Sequence, residues 1–218
     1  MKLDIFSSPK TIEAIYQHYK VKRKNEHRPH LGGSQIGNEC SRALWYQFRH
    51  AWRPSFDGRM LRLFETGDRE EDRIVANLRA VGVKVWEKDP ETGKQIKFEA
   101  CGGHFALSLD GVGEGFAESS KPHTLEFKTM NEKNFKALKN LGCKKSKPVY
   151  WAQCQIGMHL GDIDRCYFFA VNKNTDEMYG ERIKRDKAVG ALLVSKAENI
   201  VFAAMSICTS PRLCQKIL

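Results

Sequence analysis

The chain has 218 residues, 41% hydrophobic and 28% charged, enough for one sizeable core with at most a small appendage. Its 36 lysines and arginines against 26 acids give a net charge of +10, which fits a polyanionic partner, nucleic acid or an acidic membrane, and equally a merely basic soluble protein. Seven cysteines are an odd number, no apolar h-region follows the start methionine, and no apolar run reaches membrane-spanning length. No disulfide framework and no membrane partner are therefore expected, and a reducing cytoplasm is the expected location.

Ser7-Ser8-Pro9 is placed to cap a helix from about Pro9 to Lys24, with Ile12, Ile15, Tyr16 and Tyr19 on one side. The densely basic segment from Lys20 to His30 reads as a solvated arm, with DNA phosphates as the alternative contact. Residues 1–32 are thus an expected N-terminal helix and basic arm. Residues 33–206 form the expected main domain, and 207–218 form a tail that ends on an apolar pair as if cut off. Asn38 is a candidate cap for a helix from Glu39 to His50, whose stripe of Leu44, Trp45 and Phe48 is flanked by Arg42 and Arg49. Aromatics interleaved with arginines suit nucleic-acid contact and an ordinary core helix alike; Trp45 and Phe48 are assigned to the core. Cys40 is a metal-ligand candidate or simply a buried thiol.

Residues 57–82 give the strongest helical pattern, with Leu61, Phe64, Ile74, Val75, Leu78 and Val81 in register and Gly82 as the stop. Gly67 sits inside it at a cost of about 1 kcal/mol against alanine, which marks close approach of another element. Glu71 follows one turn later between Arg69 and Arg73; taken alone it is a solvated acid.

Strand alternation begins at Val83-Lys-Val-Trp-Glu and Gln95-Ile-Lys-Phe-Glu, joined across the turn Asp89-Pro-Glu-Thr-Gly93. A third strand carries Phe105, Leu107 and Leu109 on one face and stops at Asp110-Gly111. The strand at residues 122–130 then puts Leu125 and Phe127 on one face and Glu126 and Lys128 on the other. Pairing these last two strands brings Asp110 to the polar side of Glu126 and Lys128. Two carboxylates and a lysine on adjacent strands make a hard-oxygen metal site suited to Mg²⁺ or Mn²⁺, with the lysine beside it to steady a water. The competing readings are hairpin chemistry at Asp-Gly and a surface salt bridge.

A short helix from Asn131 to Asn140, a basic loop over 143–148 with Lys144, Lys145 and Lys147, and a helix from Val149 to Leu160 follow. The lysines suit backbone phosphates or a plain surface turn. A nearly continuous apolar strand over 164–171 reads as buried, with 178–184 as its hairpin partner, and a helix from Lys187 to about Ser206 closes the domain.

The order Gly67-x-x-x-Glu71, Asp110, Glu126-Phe127-Lys128 and then Gln153 on a helix resembles the PD-(D/E)XK nuclease superfamily, on its RecB-like branch with the lambda exonuclease, YqaJ and CRISPR-associated groups. The matched region covers residues 33–185, and Ser34-Gln-Ile-Gly-x-x-Cys-Ser-Arg-x-Leu-Trp-Tyr is also typical of phage-encoded members. The resemblance implies an α/β, restriction-endonuclease-like core, a central mixed sheet of four or five strands flanked by helices. It implies a metal-dependent DNA exonuclease of phage recombination, repair or replication, with an endonuclease or nickase, or a non-catalytic DNA-binding protein, as alternatives. Asp110, Glu126, the Phe127 carbonyl and Glu71 would hold the metal. Lys128 would orient and activate water, and Gln153 would position Lys128 or substrate, a role also open to Gln155. Arg42, Arg49, Lys144, Lys145 and Lys147 would contact DNA.

Relatives carry an aromatic four residues after the motif glutamine, where this chain has Gly157. Many relatives also hold an iron–sulfur cluster through four cysteines. Cys40, Cys208 and Cys214 fit three places, but Met205 takes the fourth, so no cluster is expected here and only a longer form would complete one. A single-strand annealing or recombination protein is an implied partner, and toroidal trimers among relatives leave a homo-oligomer open.

Overall fold

The structure, a computed structural model, describes residues 9–22, 29–51 and 55–206. The Ser7-Ser8 cap, part of the basic arm and the tail with Cys208 and Cys214 lie outside them. In chain order the elements are α1 (Lys10–Lys22), β1 (Leu31–Gly32), α2 (Ser41–Phe48), α3 (Gly58–Ala80), β2 (Lys84–Trp86), β3 (Lys97–Ala100), β4 (Phe105–Ser108) and β5 (Gly111–Glu114). They continue as β6 (His123–Met130), α4 (Glu132–Ser146), α5 (Pro148–Leu160), β7 (Arg165–Asn172), β8 (Met178–Lys184) and α6 (Lys187–Met205).

Short polar side chains set three helix starts. Asp57 Oδ1 accepts the Met60 N–H at 2.7 Å, Asn131 Oδ1 the Asn134 N–H at 2.9 Å, and Asp186 Oδ1 the Val189 N–H at 3.1 Å. Gly82, at φ 89°, ends α3 as its spacing predicts. Asn38 does not cap α2: its Oδ1 takes the Cys40 N–H at 3.0 Å, and the helix starts at Ser41.

The central sheet is mixed and five-stranded, in the order β2-β5-β6-β7-β8. β6 and β7 are parallel, with Glu126 opposite Phe168 and Lys128 opposite Ala170; the other pairs are antiparallel. The second sheet, β1-β4-β3, was not legible in the sequence. The strand expected to stop at Asp110 does stop before it, but it does not pair with the 122–130 strand as expected: β4 pairs with β3 in the second sheet, and a separate strand after Asp110, β5, pairs with β6. The expected hairpin of 83–87 with 95–99 is correspondingly absent. Its turn forms, with Asp89 Oδ1 accepting from Glu91 and Thr92, but only Lys88 and Gln95 bridge it. β2 goes to one sheet and β3 to the other.

Alternation on β6 divides the core. Leu125 and Phe127 join Ile74, Val75, Leu78 and Phe169 under α3. On the opposite face, Phe168, Ala170 and Cys166 pack with Phe135, Leu138, Trp151 and Met158 of α4 and α5. A third cluster joins Leu44, Phe105, Leu107, Ile156, Leu193 and Ile200, and binds the second sheet to α2, α5 and α6.

Two expectations need correction. The basic segment after Asn140 is not a loop: α4 kinks at Gly142 (φ 71°, ψ 171°) and runs on to Ser146, so Lys144 and Lys145 sit on a helical turn. And one helix, α6, is long and apolar enough to cross a membrane by length and composition, with mean hydropathy 1.5. Its inner face, Leu193, Ala197, Ile200 and Ala204, is buried on protein. The buried Lys196 ammonium donates to the carbonyls of Ile36 at 2.9 Å and Asn38 at 2.5 Å, so α6 serves as a core helix.

Candidate active site

The site gathers where β4 gives way to β5. Chain direction changes sheet at Asp110, and its Oδ2 accepts the Phe127 N–H of β6 at 2.7 Å. That bond pins the carboxylate to the strand carrying Glu126 and Lys128. Glu126, only 3% exposed, is ion-paired with Lys128. Lys128 Nζ also donates to the Phe127 carbonyl at 2.9 Å. α3 lies across the other face of β6, with Gly67 over Thr129, and brings Glu71 within electrostatic reach of Asp110 and Lys128. The close approach expected at Gly67 is loose: an added Cβ would lie 3.9 Å from Thr129 Oγ1, an ordinary contact.

The electrostatics show one shared field. Burial lifts Glu71 to about 7, and Asp110 adds to the rise while Lys128 opposes it. Burial also raises Asp110, against the pull of Lys128 and the Phe127 N–H. Burial raises Glu126, again against Lys128 and reinforced by Asp110 and Glu71. Burial weakens the hold of Lys128 on its proton, but Glu126, Asp110 and Glu71 outweigh it and hold the ammonium charged. A surface salt bridge would lack the burial that is the first cause of these shifts.

The donors fit a hard divalent cation in chemistry: carboxylate oxygens and one carbonyl. Lys128 demonstrates the point, since its positive charge already sits on the Glu126 carboxylate and the Phe127 carbonyl together. Among the described residues no three His, Cys, Asp or Glu side chains converge as a ready metal cage. The acids are neighbours whose charge is balanced by lysine.

On α5 the two glutamines differ. Gln155 is fully engaged: its Nε2 donates to the Lys184 carbonyl at 2.9 Å and its Oε1 accepts the Asp186 N–H at 2.8 Å, which fixes the β8–α6 junction. Gln153 is 6% exposed, and its side chain makes no hydrogen bond among the described residues. One turn on, Gly157 packs so closely that an added Cβ would come 3.1 Å from Leu109 and 3.3 Å from Leu107. Any larger side chain there would press on the ends of these two leucines. Tyr150, which no motif marked, lies with its ring centroid 5.5 Å from Lys128 Nζ. Only the fold brings the helix face and the strand together.

The basic residues are differently placed. Arg42 is exposed on α2. Arg49 donates to the Ala204 carbonyl at 2.6 Å and lies 5.6 Å from the Trp45 ring centroid, so its guanidinium already ties α2 to the end of α6. Lys144 lies over Trp151 at 4.5 Å, and Lys147 Nζ donates to Asn134 Oδ1 at 2.6 Å. Lys145 is exposed with no partner among the described residues. Among the described residues, Cys40, Cys101, Cys143, Cys154 and Cys166 form no disulfide.

No protein-family model and no curated protein matches this sequence. Solved structures do. The alkaline exonuclease LHK-Exo from Laribacter hongkongensis is 16% identical, with a TM-score of 0.58 over 86% of this chain and 92% of that one. The same enzyme in complex with dAMP gives a TM-score of 0.56 over 88% and 92%, also at 16% identity. The protein SSO0001 gives 0.53 at 14% identity, over 94% and 90%. The fold is thus the PD-(D/E)XK architecture expected from the motifs, a mixed sheet flanked by helices.

Proposed function

We propose that this chain is a DNA exonuclease, a Mg²⁺- or Mn²⁺-dependent deoxyribonuclease hydrolysing phosphodiester bonds in cytoplasmic DNA recombination, repair or replication. One observation carries the reading: Asp110, at the bend before β5 and hydrogen-bonded to the Phe127 N–H, the Glu126–Lys128 pair on β6, and Glu71 from α3 share one electrostatic neighbourhood. It lies in a fold shared over most of its length with an alkaline exonuclease. Asp110, Glu126 and the Phe127 carbonyl would hold the cation, with Glu71 reaching it directly or through water. A bound cation would supply Lewis-acid polarisation and stabilise charge developing on the phosphate.

The protein's own groups do the rest. Lys128 presents N–H donors beside Glu126, so it orients the attacking water and offsets phosphate charge. Gln153, nearly buried and unpartnered on the helix above, is the free donor and acceptor for substrate or for Lys128. The turn bearing Lys144, Lys145 and Lys147 meets backbone phosphates.

The test is digestion of end-labelled linear DNA and closed circular DNA with Mg²⁺ or Mn²⁺. The intact protein degrades linear DNA from its ends and spares circles; cutting of circles would make it an endonuclease. Glu126→Ala and Lys128→Ala each slow cleavage by about 100-fold or more. Equal cleavage by all three proteins would remove the mechanism.

A further inference from the structure

We propose that the Lys128 ammonium and a divalent cation compete for the same two oxygens, and that Tyr150 is the positioning residue that keeps Lys128 in the site once the cation has taken them. The inference rests on the nuclease reading above. Lys128 Nζ has three partners: the Glu126 carboxylate, the Phe127 carbonyl at 2.9 Å, and the Tyr150 ring with its centroid 5.5 Å away. The first two are expected cation donors. Both oxygens would be lost to the lysine if they held a cation, whose charge would also repel the ammonium. The Tyr150 ring face would then be the remaining partner, and its negative quadrupole can hold an ammonium without taking a metal donor.

The ring is fixed independently of Lys128. It stacks on Phe168, with centroids 6.4 Å apart and planes 28° apart, and Phe168 is fully buried opposite Glu126 in the β6–β7 register. Tyr150 stands on the first turn of α5, three residues before Gln153 and on the same side of the helix. Its hydroxyl makes no hydrogen bond among the described residues, so the ring carries the contact.

Two measurements on the full chain test this. The first titrates Mn²⁺ alone, without DNA, by calorimetry. Lys128→Met is expected to bind Mn²⁺ about tenfold tighter than the intact protein, because the competing cation is gone. The second follows cleavage of a linear duplex. Tyr150→Leu is expected to lower kcat about tenfold with KM for DNA within about twofold, and Tyr150→Phe to restore the rate to within about twofold.

Lys128→Met binding Mn²⁺ no more tightly than the intact protein overturns the competition, even where Tyr150→Leu folds poorly. Tyr150→Leu cutting at the intact rate, or Tyr150→Phe as slow as Tyr150→Leu, overturns the role of the ring. An intact protein that neither binds Mn²⁺ nor cuts DNA would instead remove the nuclease reading itself.

Discussion

At the scale of single residues, Glu71 and the two glutamines of α5 make the sharpest predictions. Glu71 is held near 7 against an ordinary 4.5, first by burial and then by Asp110. A carboxyl with a raised folded-state pKa binds its proton more tightly folded than unfolded. Without metal, stability is therefore greatest below about 4.5 as far as Glu71 is concerned, and is lost as pH rises from 4.5 to about 7. Thermal melts in chelator at pH 5 and pH 8 should show this loss, and Glu71→Gln should recover about 1–2 kcal/mol of it at pH 8. A melt of Glu71→Gln at pH 8 that matches the intact protein would remove the assignment. Gln155→Ala deletes two buried hydrogen bonds and should cost about 2–4 kcal/mol in chemical denaturation. Gln153→Ala should cost less than about 1 kcal/mol, since it breaks none, while slowing cleavage.

At the scale of elements, α4 is the informative one. Its kink at Gly142 combines φ 71° with ψ 171°, a region nearly closed to other residues. The Cys143 N–H freed by the break donates to Glu181 Oε2 at 2.7 Å, and the same oxygen accepts the Tyr179 hydroxyl at 2.7 Å. β8 thereby aims the turn that carries Lys144, Lys145 and Lys147. Gly142→Ala should cost about 1–3 kcal/mol in denaturation and weaken DNA binding at the same time. Retained affinity in a destabilised variant would detach this turn from the DNA path. The same scale explains why a continuous helix does not form after Asn140: the glycine and a carboxylate from a distant strand decide it.

At the scale of the whole molecule, charge governs the partner. A chain at +10 that neutralises phosphates should lose DNA affinity steeply with salt. Neutralising Lys144, Lys145 and Lys147 together should reduce the slope of log affinity against log salt by about 2 to 3, and Lys145→Ala alone by about 1, measured in equilibrium titrations with metal replaced by Ca²⁺. An unchanged slope would place the phosphates elsewhere on the surface. Packing at this scale also assigns α6, whose composition alone would suit a lipid bilayer. Its Leu193, Ala197 and Ile200 face the cluster shared with α2 and α5, and Lys196 ties it to the loop before α2.

Much of the fold and the core of the candidate site were legible in the chain itself. Period-two alternation over 122–130 separates Leu125 and Phe127 from Glu126 and Lys128 whatever the surroundings, because strand geometry fixes which side chains share a face. Helical spacing in 57–82 and the Gly82 stop are local in the same sense, whereas the cap read at Asn38 did not form. What local sequence could not hold was partnership at a distance. The change of sheet at Asp110, the Gln155 clamp, the seat of Lys128 against Tyr150 and the kink tied down by Glu181 all join residues far apart along the chain. Such contacts exist only once burial has brought strands and helices together, so only the tertiary structure decided them.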